Sequence, residues 1–181
     1  MDGPRKSELR TYLIKNTKTF NIISQDVWRI GLFQVDMSKD MASFAFNDVP
    51  VAKRRMTNLG EFLAAYDEVR SVLRSYSRPM DGFMTSLQKA YDKRNAVSTL
   101  KGYVKIVDVY KDIEAELSTP YPMYTFILDM ERFKWEYNSK PGCPRFIFNT
   151  GSQVETGKFG VVFRTSTSAE ESYRKFVYLT Q

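Results

Sequence analysis

The sequence predicts an α+β fold: a largely antiparallel sheet, two amphipathic helices packed on one face of it, and a short C-terminal helix. Three patterns carry this expectation. Residues 27–46 alternate apolar and polar side chains around a polar break. Residues 59–91 place apolar side chains at helical spacing, and residues 120–164 return to period two between Pro and Gly breaks.

Residues 1–19 read as a basic N-terminal arm, helical from Ser7 to Lys15, with little to bury. Residues 20–181 read as one α+β domain. A strand is expected over Val27–Val35, apolar on both faces, then a turn at 36–40 and a return strand through Ala42, Phe44 and Phe46. Asn47-Asp48-Val49-Pro50 breaks that strand, and Lys53-Arg54-Arg55 is expected on the loop beyond. Leu59, Phe62, Leu63, Tyr66, Val69, Leu73 and Tyr76 then form one helical stripe, with Asn58 as N-cap and Glu61 completing a capping box. After Pro79 a second helix runs to Arg94, burying Met80, Phe83, Met84, Leu87 and Tyr91.

The β-branched run at 104–109 favours a strand at 103–110 with a short helical turn after it, although Leu100, Tyr103, Val104 and Val107 also fit a helix. Beyond Pro120-Tyr121-Pro122, Phe126, Leu128 and Met130 alternate, and Phe133, Trp135 and Tyr137 alternate in the opposite phase. A bulged strand explains such a phase switch. Arg145–Phe148 reads as a short strand, 150–157 as a polar loop, and Lys158–Arg164 as the last strand. Ser168, with Glu171 three residues on, marks the start of the terminal helix.

Composition removes several chemistries. There is no histidine in 181 residues, so His-based nucleophile pairs and His-ligated metals are unavailable, and the single Cys143 permits neither an intrachain disulfide nor a thiolate cluster. The expectation is a non-enzymatic protein with no cofactor, no metal and no small-molecule substrate. Nothing in the opening MDGPRKSELR reads as a signal peptide, and no apolar run is long enough to be a transmembrane segment. One unpaired cysteine suits a reducing compartment such as the cytoplasm.

The net charge of +6 is clustered. Arg5, Lys6, Arg10, Lys15 and Lys18 outweigh Asp2 and Glu8, Lys53, Arg54 and Arg55 stand together, and Lys89, Lys93, Arg94, Lys101 and Lys105 outweigh Asp92. Basic clusters on a slightly acidic body suit phosphate, whether of RNA or of an anionic membrane, and the sequence leaves both open. The candidate contacts are Arg5, Lys6 and Arg10 on the arm, Lys53, Arg54 and Arg55, and Lys89, Lys93 and Arg94 at a helix end. Asp129 and Glu131, two apart on an expected strand, would face the same way as a magnesium-type pair, or else be solvated charges on a strand face. Gly151-Ser152 and Gly157-Lys158-Phe159-Gly160 read as turns in a β loop.

The order of basic arm, hairpin, amphipathic helices, antiparallel meander and closing helix resembles the compact matrix proteins of rhabdoviruses, particularly those of plant members. That resemblance implies a self-associating virion protein that contacts nucleocapsid and anionic membrane and resides in host cytoplasm and virion. The proline-rich late-domain motif of animal relatives is missing, and Thr119-Pro120-Tyr121-Pro122 is no substitute. Separately, the stretch from Met80-Asp81-Gly82-Phe83 to Ala90-Tyr91-Asp92-Lys93-Arg94-Asn95 is similar to the RNA-facing helix of tobamovirus coat proteins, which implies Arg94 on RNA phosphate. The alternative to a matrix protein is therefore a viral RNA-binding protein, either a coat protein or a regulator of the silencing-suppressor kind.

Overall fold

A computed structural model describes residues 3–16, 18–166 and 172–181, the first three by their backbone alone. The fold is α+β, with helices and antiparallel sheets. The chain divides into two compact units, Met1–Ser75 and Tyr76–Gln181.

The first unit opens with helix α1 (Gly3–Lys15), followed by strands β1 (Phe20–Ile22), β2 (Val27–Ile30), β3 (Phe33–Asp36), β4 (Met41–Phe46) and β5 (Val49–Arg55), and closes with helix α2 (Leu59–Ser75). The strands form one antiparallel meander in the order β1-β2-β3-β4-β5. The expected strand over 27–35 is two strands, because Gly31 takes a φ of 55° and Ile30 pairs with Phe33 across a two-residue turn. That turn resets the phase, so Trp28 and Ile30 before it and Phe33 and Val35 after it are all buried. Trp28, Ile30, Phe33 and Val35 therefore share one face, and Val27, paired with Asp36, takes the other.

Asn47 and Asp48 both adopt positive φ, 47° and 65°, and make a two-residue hairpin turn between Phe46 and Val49. The strand resumes at once, so Lys53, Arg54 and Arg55 lie on β5 and not on a loop. Pro50 is tolerated there because β5 is an edge strand.

Helix α2 forms where the stripe places it. Glu61 N–H donates to Asn58 Oδ1 at 2.9 Å, and Thr57 N–H donates to the Glu61 carboxylate at 2.6 Å. Phe62 stacks on Phe44, ring centroids 6.0 Å apart, and Tyr66 meets Phe33 edge-on at 5.6 Å. The basic arm, expected to be helical from Ser7 to Lys15 with little to bury, is helix α1, and it does bury Leu9 and Leu13 and holds Lys6 in an ion pair with Asp26.

The second unit contains α3 (Met80–Val97), β6 (Val104–Lys105), α4 (Ile106–Glu116), α5 (Met123–Glu136), β7 (Ile147–Asn149), α6 (Gln153–Phe159), β8 (Val161–Arg164), β9 (Tyr173–Phe176) and β10 (Tyr178–Thr180). Its strands form two small antiparallel sheets, β6-β10-β7 and β8-β9. Helix α3 packs mainly on other helices, Phe83 against Phe126 of α5 at 6.2 Å. The picture of two helices on one sheet therefore does not hold, since α2 and α3 belong to different units.

The strand expected over 103–110 is strand only at Val104–Lys105 and helix from Ile106, and the long bulged strand expected after Pro122 is a helix. In α4, Ile106, Val109 and Ile113 are buried at helical spacing, and that burial overrides the β preference of the Val-rich run. In α5, Phe126, Ile127, Met130 and Phe133 form the buried stripe, so the phase switch belongs to a helix and not to a bulge. The expected polar loop at 150–157 leads into α6, whose Ser152–Glu155 capping box is complete. Ser168 and Glu171, the expected start of a terminal helix, lie outside the described residues; the chain beyond Ser172 is β9 and β10. No helix among the described residues is long and apolar enough to cross a membrane.

Candidate phosphate-binding surface

Strand alternation divides the basic triplet. Arg54 pairs with Ala42 in the register and shares the face that α2 covers, whereas Lys53 opposite Ser43 and Arg55 opposite Met41 take the other face. Arg54 reaches Glu68 on α2 with two nitrogens, Nε at 3.3 Å and a terminal Nη at 2.6 Å. The Glu68 carboxyl is held below its ordinary value by the hydrogen bond and the charge of Arg54, and the Arg54 guanidinium is raised in return. Lys53 and Arg55 are exposed, and no salt bridge engages either among the described residues.

The cross-strand register places further groups on the face of Lys53. Asp36 pairs with Ser43, and Arg29 pairs with Gln34, which in turn pairs with Ala45. Arg29, Lys53 and Arg55 therefore share one polar sheet face with Asp36 as a counter-charge. Arg29 on β2 stands three strands from β5, roughly 14 Å across the sheet. An antiparallel sheet with one covered face leaves the other to solvent, and cations there can form charge-assisted bonds to phosphate oxygens. Arg29 was not singled out in the sequence, because only the hairpin register reveals which face it takes.

In the other two predicted clusters, Lys6, Lys89, Lys93 and Arg94 are engaged by groups of the chain itself. Lys6 donates to Asp26 and, at 2.9 Å, to the Gln25 carbonyl, which ties α1 to the bend between β1 and β2. Arg10 is exposed on α1, and the side chain of Arg5 lies outside the described residues. Lys93 and Arg94 both donate to Asp112, whose side chain is 8% exposed, and Lys89 pairs with Glu116 at 2.9 Å. The Arg94 hydrogen bond, aided by Lys93, holds the Asp112 carboxyl below its ordinary value against the opposing effect of burial. These contacts join α3 to α4. Lys101 adds to them by donating to the carbonyls of Asn95 and Ala96 at the end of α3, 3.2 and 2.8 Å away.

Asp129 and Glu131 do not form a pair. On helix α5, residues two apart point in different directions. Asp129 is fully buried and accepts from Ser77 Oγ at 2.5 Å, Tyr121 Oη at 2.7 Å and the Arg78 N–H at 3.2 Å. Burial, with the Asp129 charge beside it, raises the Tyr121 phenol. Glu131 instead accepts from the Arg164 N–H at 2.8 Å. Close by, Lys134 donates to the Arg164 carbonyl at 3.1 Å and sits over the rings of Trp135, Phe148 and Phe176; burial lowers its ammonium pKa. Both carboxylates thus fasten backbone segments together. No group of three or more His, Cys, Asp or Glu among the described residues is placed to hold a metal ion.

No protein-family model matches this chain, and no curated protein or solved structure is detectably similar to it.

Proposed function

We propose that this chain is a non-enzymatic, self-associating structural protein of the viral matrix type, acting in host cytoplasm and virion. It docks on phosphate, in ribonucleoprotein or on an anionic membrane, through the open sheet face of its first unit. One observation supports this reading above the others. Of the basic residues singled out, Lys53 and Arg55 stand exposed together on one sheet face, and Arg10 stands exposed on α1, with no salt bridge among the described residues, while Arg54, Lys89, Lys93, Arg94 and Lys6 each already pair with a carboxylate. Phosphate contacts need cations that are not already neutralised, because affinity rises with each counterion a contact releases.

The test is light-scattering mass on nuclease-treated protein as salt is lowered, with and without short single-stranded RNA or anionic vesicles. Growth into large assemblies at low salt supports the structural reading. Growth that requires RNA favours a coat-like role, and growth on vesicles alone favours a matrix role. A small species of constant mass under all these conditions overturns the reading.

A further inference from the structure

The five-stranded sheet of the first unit has two unequal edges. The β5 edge carries Lys53 and Arg55, contains Pro50, which lacks an N–H, and lies beside a register shift at Phe44/Ala45. Charge, proline and a bulge are the usual protections of an edge against pairing with another strand. Two copies meeting there would also oppose like charges.

The β1 edge has none of these protections. Residues 19–25, Thr-Phe-Asn-Ile-Ile-Ser-Gln, contain no charge and no proline in a chain that is 27% charged. Ile22 and Ile23 are 43% and 51% exposed. The main chain shows which groups are open. Gly31 N–H donates to the Thr19 carbonyl and Ile23 N–H to the Val27 carbonyl, both at 3.0 Å. Antiparallel pairs alternate between hydrogen-bonded and non-bonded, so Asn21 bonds to Arg29, and Phe20 and Ile22 turn their N–H and C=O groups away from β2. Among the described residues no side chain caps those groups, and another extended strand is what satisfies such a ladder fully.

We propose that β1 pairs antiparallel with β1 of a second copy, about a two-fold axis through Asn21. This inference rests on the self-association proposed above and locates it. The open groups set the register: Phe20 of one copy lies opposite Ile22 of the other, making roughly four main-chain hydrogen bonds. The same register extends a row of side chains on the covered face. In each copy Phe20 neighbours Ile30 and Ile22 neighbours Trp28. Pairing therefore joins Ile30 and Phe20 of one copy to Ile22 and Trp28 of the next, and shields the exposed Ile22. A second copy is the favoured occupant because the segment is neutral and self-complementary, whereas a charged partner strand would find no counter-charge from Thr19 to Gln25. A strand of three residues gives weak, concentration-dependent association, as a reversible assembly step requires.

The experiment uses Asn21→Cys in a Cys143→Ser background under mild oxidation. Asn21 lies on the axis as a non-bonded pair, where Cα atoms stand about 4.5 Å apart, within disulfide reach. The expected result is a covalent dimer, with none from an Asp36→Cys control on the inner strand β3. In parallel, Ile22→Pro removes an N–H that bonds to nothing within the sheet, so the fold tolerates it at an edge. It should weaken self-association in high salt about tenfold or more, with an unchanged far-ultraviolet circular dichroism spectrum. Unchanged assembly in Ile22→Pro together with no Asn21→Cys dimer overturns the edge while leaving self-association standing. A wild-type chain that stays monomeric at every concentration overturns both. Should Ile22→Pro misfold, the cysteine result decides.

Discussion

Arg94 holds Asp112 with two nitrogens, Nε at 2.5 Å and a terminal Nη at 2.8 Å, and Lys93 adds a third contact at 3.0 Å. A cluster that looks like a phosphate site in the sequence is thereby a clasp between α3 and α4. Its loss should register in stability before it registers in binding.

Asp112→Ala removes the acceptor shared by two partly solvated cations. The expected cost is about 1–2 kcal/mol, at the low end for charged hydrogen bonds because Arg94 is partly solvated. Urea unfolding reads it as a lower midpoint. The Asp112 carboxyl is depressed in the folded state, so its contribution is present above the unfolded carboxylate value of about 3.9 and is lost as pH falls through the lower folded value. The gap between wild type and Asp112→Asn should therefore be widest near neutral pH and close in acid. A gap that stays constant with pH would remove Asp112 as the titrating group.

Changing Lys53 and Arg55 together to alanine should flatten the salt dependence of binding to a single-stranded RNA, lowering the log–log slope by about 1.4, or 0.7 for each contact. Arg54→Ala should leave the slope nearly unchanged, because its guanidinium already serves Glu68. Equal effects from all three would show that strand alternation does not select the contacts.

The α6 cap is coupled to β10. Glu155 accepts from the Ser152 N–H at 3.0 Å, from Ser152 Oγ at 2.7 Å and from Tyr178 Oη. The Tyr178 and Ser152 bonds hold the Glu155 carboxyl down to about 2, and the Glu155 bond pushes the Tyr178 phenol up to about 12. Glu155→Gln should return phenol ionisation toward its ordinary value of about 10 in an alkaline absorbance titration. The Glu155 contribution to stability is present above the unfolded value of about 4.3 and fades as pH falls toward 2; that of Tyr178 fades as pH rises from about 10 through 12. Ser152→Ala, which removes the cap, should cost about 1 kcal/mol in thermal or urea unfolding.

Gly31 has a positive φ, and a Cβ there would come within 2.5 Å of Tyr66 Oη, which donates to the Ile30 carbonyl at 3.1 Å. Gly31→Ala should destabilise the chain by about 1–3 kcal/mol through backbone strain and this clash. Tyr66→Phe removes the clashing oxygen, so the double variant should lose less than the sum of the singles. Strict additivity in a thermal cycle would show that the two residues do not meet.

Local signals carried well where one segment contains its own answer. The stripe from Leu59 to Tyr76 with its Asn58 cap became α2, and the turn at 36–40 became the β3–β4 connection. The Ser152–Glu155 box was equally legible, being a Ser with Glu three residues on, yet it lay in a stretch read as a polar loop. Helix α5 was lost for a different reason. Phe126, Met130 and Phe133 satisfy a helical stripe, but Leu128, Trp135 and Tyr137 supply enough further apolar side chains to imitate alternation. Which of these residues are buried depends on partners distant in the chain.

By itself the sequence determined the α+β class, the best helix, where the cations sit along the chain, and the removal of histidine chemistry. The tertiary structure alone decided which cations remain available. Periodicity and caps act over a few residues, whereas the partners of Arg54 and Arg94 lie 14 and 18 residues away. The face of Lys53 and Arg55 follows from a hairpin register that no single strand contains.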